Sequence, residues 1–411
     1  MNVSSPASAR RLFGKSVTWG TPRRLVWFVM TCLAVIVASG SAQSAALVRK
    51  MMNVDGVSIE ISYDPDFKAP GQYFFALNNV LHVIQKKPPF SGSLLLSDAE
   101  GNVRVVRRMR SDQGVFWSAD FRPLPDGTWA YALARTRGAL WMNDIRLIDP
   151  ATQSDLLTPD WYPVVDLALD AHESVVYAGN LRIFLYYRTR KEDGKEYVDM
   201  EVSAIDGSDG TKRGFWTSRG KFPATMTGDY LHFNSIHHIA DLKVLASARG
   251  TNTLYMIDLA KGEITDQIDR QSWKFENDPF GGFERQHFAQ FLPNGNLLLY
   301  DNGDESSQNR RSRAVEYRVD WANRVLTMHW QALASDTLPF RFGWGSVALL
   351  PDQSRLIGWG DYPRNAKACQ GVDERVPIFS RYDAQGKLVY ELKAACGWAT
   401  YRVYFEAARK P

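Results

Sequence analysis

The chain has 411 residues with 49 basic and 45 acidic side chains, but the positive excess is local. Residues 1–42 hold five basic residues and no acidic one, so a formal net charge of +4 becomes about −1 beyond residue 42. That remainder has no basic stripe, which excludes nucleic acid as a partner, and its length of about 370 residues suits one large all-β domain or two smaller ones.

The first segment reads as a targeting peptide. Arg10, Arg11, Lys15, Arg23 and Arg24 precede an uncharged apolar run from Leu25 to about Ser39, followed by Gly40-Ser41-Ala42. This is the pattern of a secretory signal, and the run is shorter than the roughly 20 residues of a membrane span. The expectation is a signal peptide over residues 1–42, with an uncleaved inner-membrane anchor as the alternative, and a periplasmic location. Contact with a membrane is expected only in the uncleaved case. Arg10-Arg11-Leu12-Phe13-Gly14-Lys15 also resembles a twin-arginine export motif. Cys32 lies in the apolar run, leaving Cys369 and Cys396, which in an exported protein favour one disulfide over two thiols. No Cys/His spacing suits zinc, and no metal or cofactor is expected.

Residues 43–80 include the alternating run Val57-Ser58-Ile59-Glu60-Ile61-Ser62, expected as a small N-terminal β extension that caps the main domain or supplies its closing strand. From residue 81 to 411 a hairpin recurs: a strand, an Asp-containing turn usually with Gly, and a second strand. The turn aspartates are Asp98, Asp149, Asp206, Asp258, Asp320 and Asp383, spaced by 51, 57, 52, 62 and 63 residues. An all-strand repeat of this length predicts one propeller blade per unit, hence a six-bladed β-propeller. A second turn, Leu124-Pro125-Asp126-Gly127, Leu292-Pro293-Asn294-Gly295 and Leu350-Pro351-Asp352-Gln353, falls between the inner strands of a blade. The thirteen tryptophans and the other aromatics are assigned mostly to packing between blade faces.

Propellers present ligand-binding groups at the funnel around the axis, and three polar residues fall near its expected inner strands. His232 opens the fourth unit, Arg249 ends the strand Val244–Ala248 of that unit, and His287 opens the fifth. Imidazole attacks or shuttles a proton near neutral pH, and guanidinium braces charged oxygens, so this trio suits transfer of an anionic group. The residues alone also fit a structural role for each histidine and a surface ion pair for Arg249.

The run Leu231-His232-Phe233-Asn234-Ser235-Ile236, then Ser247-Ala248-Arg249, Gln286-His287, Leu292-Pro293-Asn294-Gly295-Asn296 and Asp301-Asn302-Gly303 resembles the bacterial arylsulfotransferase family. Ser312–Tyr317 and Tyr401-Arg402-Val403-Tyr404 extend the likeness, which is clear from about residue 198 onward and looser over 70–197. The resemblance implies a six-bladed propeller that moves a sulfuryl group from an aryl sulfate to a phenolic acceptor, without nucleotide donor or metal. It implies His287 as the nucleophile of a ping-pong cycle through a sulfohistidine. His232, Asn234 and Arg249 would bind sulfuryl oxygens or assist proton transfer. Ser346 is a further candidate for substrate binding. The family's additional histidine, before an Asp on an earlier inner strand, has no match in Ala119-Asp120-Phe121 or Val165-Asp166-Leu167, and His172, His237 and His238 are read as structural. The competing reading is a non-catalytic propeller that binds an anionic or aromatic ligand, or a protein partner, in the same funnel. A quinone-dependent dehydrogenase is disfavoured, since tryptophan-docking repeats and a vicinal cysteine pair are missing.

Overall fold

The computed structural model of the chain describes residues 46–80, 90–111, 115–118, 120–137, 140–157, 165–166, 169, 172–173, 175–304, 311–336, 340–361 and 375–408. Thirty strands are found among them, and they form six mainly antiparallel sheets, the six blades of a propeller. Blades 3 and 4 are simple four-stranded meanders. Blade 3 runs through Val176–Ala178, Leu181–Glu192, Lys195–Asp206 and Lys212–Thr217. Blade 4 runs through Phe233–Ala240, Lys243–Ala248, Thr253–Asp258 and Glu263–Ile268. Blade 5 follows with His287–Phe291, Leu297–Asp301, Arg313–Asp320 and Val325–Leu333, and blade 6 begins at Ser346–Leu349.

The repeated aspartates explain why each outer hairpin turns where it does. Every one stands at or just after the end of the third strand of its blade. Its carboxylate receives backbone N–H groups of the turn: Glu100 and Asn102 on Asp98, Ala151 on Asp149, Ser208 on Asp206, Ala260 on Asp258, Asn323 on Asp320, and Gln385 and Lys387 on Asp383. The side chain thus satisfies amides that the hairpin leaves without strand partners. The Leu-Pro turns lie between first and second strands, as their sequence indicates, with Gly127, Gly295 and Gln353 donating back to Leu124, Leu292 and Leu350.

The ring closes with strands from both ends of the chain. Val403–Ala407 is the inner strand of blade 1, paired to Gly71–Asn79, which continues outward through Phe90–Asp98 and Val103–Ser111. Gly71–Asn79 is therefore a blade strand, although it falls inside the N-terminal stretch 43–80. The hairpin Val48–Val54 and Val57–Tyr63 attaches elsewhere, to the outer strand Leu388–Ala394 of blade 6. Ile59 and Ile61, both fully buried, join Tyr390, Leu392, Tyr73 and Phe75 in one cluster between blades 6 and 1. Cys396 is disulfide-bonded, and its expected partner Cys369 lies outside the described residues. The segment 1–42 lies outside them too; among the described residues no helix is long and apolar enough to cross a membrane.

Candidate active site

One face of the propeller is built from the segments that enter each inner strand and those that leave each second strand. His232, Arg249, His287, Asn302, Trp344 and Tyr401 all come from these segments. They belong to blades 4, 4, 5, 5, 6 and 1 in turn. The strand pair Phe233↔Ala248 puts His232 beside Arg249, whose N–H donates to the His232 carbonyl at 3.1 Å. The next residue must be Gly250, because a Cβ there would lie 2.0 Å from the Tyr230 carbonyl oxygen. This close approach holds the two loops of blade 4 together at the mouth.

His287 is 2% exposed and fixed by three hydrogen bonds. Its Nδ1 faces Asn302 Oδ1 at 2.6 Å and the Arg285 carbonyl at 3.1 Å, and its Nε2 accepts from the Trp344 N–H at 3.2 Å. Asn302 has no freedom to flip, since its Nδ2 donates to the carbonyls of Arg341 and Trp344, each at 3.1 Å. Both groups at Nδ1 are acceptors, so Nδ1 carries the proton and Nε2 carries the lone pair. Burial, then the charges of Arg249 and His172, hold the His287 pKa well below the ordinary imidazole range. The ring is neutral near pH 7, so its Nε2 needs no deprotonation to act as a base or nucleophile once it leaves the Trp344 N–H.

His232 carries a second oriented imidazole. Its Nδ1 pairs with Asp229 Oδ2, which leaves Nε2 to exchange a proton with a ligand. Burial lowers its pKa, with the charges of His172 and Arg249 adding and Asp229 opposing. Burial also opposes the shift of Asp229, which His232 nevertheless holds below its usual carboxylate value. Arg249 donates from Nη2 to the Phe342 carbonyl at 3.1 Å and lies 4.9 Å from the centre of the Phe342 ring.

His172 lies closer to this group than its place in the sequence indicates. The strand register sets it apart from the funnel, yet its ring lies 4.8 Å from that of His232, 5.8 Å from Tyr401 and 5.9 Å from Tyr187. Blade 3 therefore does bring a histidine to this face, four residues before its inner strand. The two earlier segments that carry an Asp in register lie elsewhere. Val165–Asp166 pairs with the third strand of blade 2, Leu140–Ile148, and Asp120 is buried beside Tyr404 and Arg122. Ala119 lies outside the described residues. His237 and His238 point away from this group: His238 Nε2 meets the Asp241 carbonyl at 2.9 Å at the far end of the strand.

Asn234 and Ser346 are buried beneath the mouth. Asn234 donates from Nδ2 to the Gln286 carbonyl at 2.7 Å, tying blade 4 to blade 5, while its Oδ1 has no partner among the described residues. The Ser346 hydroxyl accepts from the Val403 N–H at 3.3 Å, turned toward the inner strand of blade 1. Gln286, also fully buried, binds the carbonyls of Ala248 and Thr253 and locks the approach to His287.

The backbone here is unusual. His232, Arg285, Phe288 and Trp344 have φ of 51°, 51°, 49° and 61°, a region that side chains of this size rarely adopt. A bulge follows His287, whose partner is Tyr300 while Gln290 pairs with Leu298. Such conformations persist when surroundings over-determine them, and they gather at functional sites. Among the described residues no group of three His, Cys, Asp or Glu side chains could hold a metal ion.

Comparison with known proteins bears on this face. The chain is similar to a protein of unknown function from Bacteroides caccae (TM-score 0.45, 11% identity, 81% of this chain and 100% of that one) and to apo AztD from Citrobacter koseri (0.40, 7%, 84% and 100%). A streptogramin B lyase is similar at a TM-score of 0.38 and 8% identity, over 88% of this chain and 99% of the other. No curated protein matches the sequence. A family model does: the one described as arylsulfotransferase (ASST) matches residues 202–371, the span that carries His232, Arg249, His287, Asn302 and Trp344. Over those residues the chain is similar to the arylsulfotransferase family.

Proposed function

We propose that this protein transfers a sulfuryl group from an aryl sulfate to a phenol through a covalent intermediate on His287. The observation that carries the reading is the fixed tautomer of His287: a buried, neutral imidazole with Nδ1–H held by Asn302 and a lone pair on Nε2. In the first half-reaction the Nε2 lone pair leaves the Trp344 N–H and attacks sulfur, the N–S bond forms, and the S–O bond to the aryl group breaks. The ring becomes cationic, and Asn302 Oδ1 accepts its Nδ1–H more strongly than in the free enzyme, which favours the transition state.

Arg249 supplies positive charge for the sulfuryl oxygens, as transfer reactions of this kind depend on positioning and charge stabilisation. His232 closes the proton cycle. Neutral, it takes the proton of the acceptor phenol at Nε2 as the phenol oxygen attacks the sulfohistidine; it then returns that proton to the next departing phenolate. A phenol with pKa near 10 needs both services at neutral pH. His172, facing His232, is in reach of the same oxygens. The rings of Tyr187, Tyr401, Trp344 and Phe342 around these groups suit an aromatic substrate. We also propose that the enzyme works outside the cytoplasm, on the strength of the charged and apolar pattern of residues 1–42.

The test is turnover of 4-nitrophenyl sulfate with and without an added phenol. Release of nitrophenol should depend on the acceptor and fall at least about 10³-fold in His287→Asn, the loss typical of a missing nucleophile. Intact mass after exposure to donor alone should show an adduct of about 80 Da, the sulfuryl group held covalently. Ligand binding with no release on any phenol favours the non-catalytic alternative.

A further inference from the structure

Below the mouth lies a buried charge network that the proposed chemistry does not use. Glu173 and Arg402, 3% and 1% exposed, form an ion pair at 2.7 Å across the axis, from blade 3 to blade 1. Arg402 Nη2 also donates to the Asn234 carbonyl at 3.1 Å, and Glu173 Oε2 accepts the Ile236 N–H at 3.3 Å, so both grip the inner strand of blade 4. Arg122 of blade 2 stands 3.9 Å from Glu173 and 3.4 Å from Asp120, whose other oxygen receives the Tyr404 hydroxyl. The Arg402 guanidinium is capped by the Phe288 ring at 4.8 Å, directly after His287.

Each partner is the sequence neighbour of a ring at the mouth. Glu173 follows His172 and Arg402 follows Tyr401, and those two rings are 5.8 Å apart. Tyr401 in turn donates to the Asn234 carbonyl at 3.3 Å and lies 6.3 Å from His287. We infer that Glu173 and Arg402 are positioning residues, a single bridge that sets His172, Tyr401 and the blade 4 segment of His232 in place around His287. A plain structural pair would need only Coulomb contact. This pair instead reads backbone atoms of a third blade, two and four residues beyond His232. Burial of opposed charges contributes little net stability when apolar groups could replace them, which leaves geometry as what the bridge supplies.

The consequence for catalysis rests on the sulfuryl-transfer reading; the positioning itself is read independently. Three variants are compared: Arg402→Lys, which keeps the charge but loses the fork onto Asn234, Arg402→Met, and the charge-free pair Glu173→Gln/Arg402→Met. Turnover of 4-nitrophenyl sulfate with phenol acceptor should fall about 10–100-fold in kcat in all three, the loss typical of misplaced supporting residues. The double variant should melt closer to wild type than Arg402→Met does. With histidines labelled with 15N, the imidazole signals of His172 and His232 should move in each variant while those of His329 stay put.

The proposal is overturned if the double variant regains both stability and full turnover, or if Arg402→Lys leaves kcat and the His172 and His232 signals unchanged. Should Arg402→Met fail to fold, Arg402→Lys and the double variant decide. A wild-type protein without transferase activity sinks the sulfuryl-transfer reading alone, and the imidazole signals then test the bridge by themselves.

Discussion

Asn302 is a neutral residue in a loop, and its sequence context, Asp301-Asn302-Gly303, reads as turn chemistry. Only the fold reveals that two carbonyls from the segment 341–344 consume its amide hydrogens and leave Oδ1 to face His287. Asn302→Leu should therefore lower kcat about 10–100-fold, as loss of an orienting partner commonly does, with KM for the donor changed less. Steady-state kinetics against wild type check this, and an unchanged kcat would refute the tautomer argument. His232, Arg249 and His287 were legible because each sits beside a strand end with polar neighbours in a recognisable order. His172 was not. It enters four residues before its strand, so counting from strand starts put it out of register, and only the packing of blade 3 against blade 4 brings its ring to His232.

Inner strands differ from outer hairpins in how much the sequence shows. The outer turns were legible at every repeat, because an Asp that caps its own turn acts within three or four residues and needs no tertiary partner. The inner strands are legible only as apolar runs, and polar residues on them have meanings set by the neighbouring blade. His237 is one such residue, on the inner strand Phe233–Ala240 and partly buried, with its ring donating a hydrogen bond to the Phe291 backbone of blade 5. Burial, with the charge of His238 adding, pushes its pKa down to about 4. The unfolded chain binds a proton at about 6.5, so the folded state is favoured above that value and loses stability as pH falls from 6.5 to 4. The loss from this one group is of the order of 2 kcal/mol, allowing for its partial exposure. His237→Leu should flatten the fall in urea midpoint between pH 7 and pH 4, while His287 and His232, also depressed, keep part of it. Equal slopes for variant and wild type would contradict this account.

At the scale of the ring, both chain ends converge on the seam between blades 6 and 1, but they do different things there. Val403–Ala407 is an inner strand, and the residues just before it, Tyr401 and Arg402, reach the mouth and the axis. The hairpin Val48–Tyr63 lies on the outer edge of blade 6, where it covers a strand edge and fills the seam with Ile59 and Ile61. From sequence alone its alternation predicted a strand pair, while its docking partner, more than 300 residues away, had no local signal. These two roles are separable. Ile61→Asp buries a carboxylate against Tyr390 and Leu392, a change that costs several kcal/mol and uncovers an edge open to aggregation. Val403→Asp places the same charge on the closing strand. Both variants should melt at lower temperature, yet only Val403→Asp should also lose kcat per active molecule, because its damage passes along the strand to Tyr401 and Arg402. Counting active molecules by the nitrophenol burst and dividing turnover by that count separates the cases. If Ile61→Asp lowers normalised kcat as much as Val403→Asp does, the outer hairpin is coupled to the mouth, and the division of labour between the two chain ends is wrong.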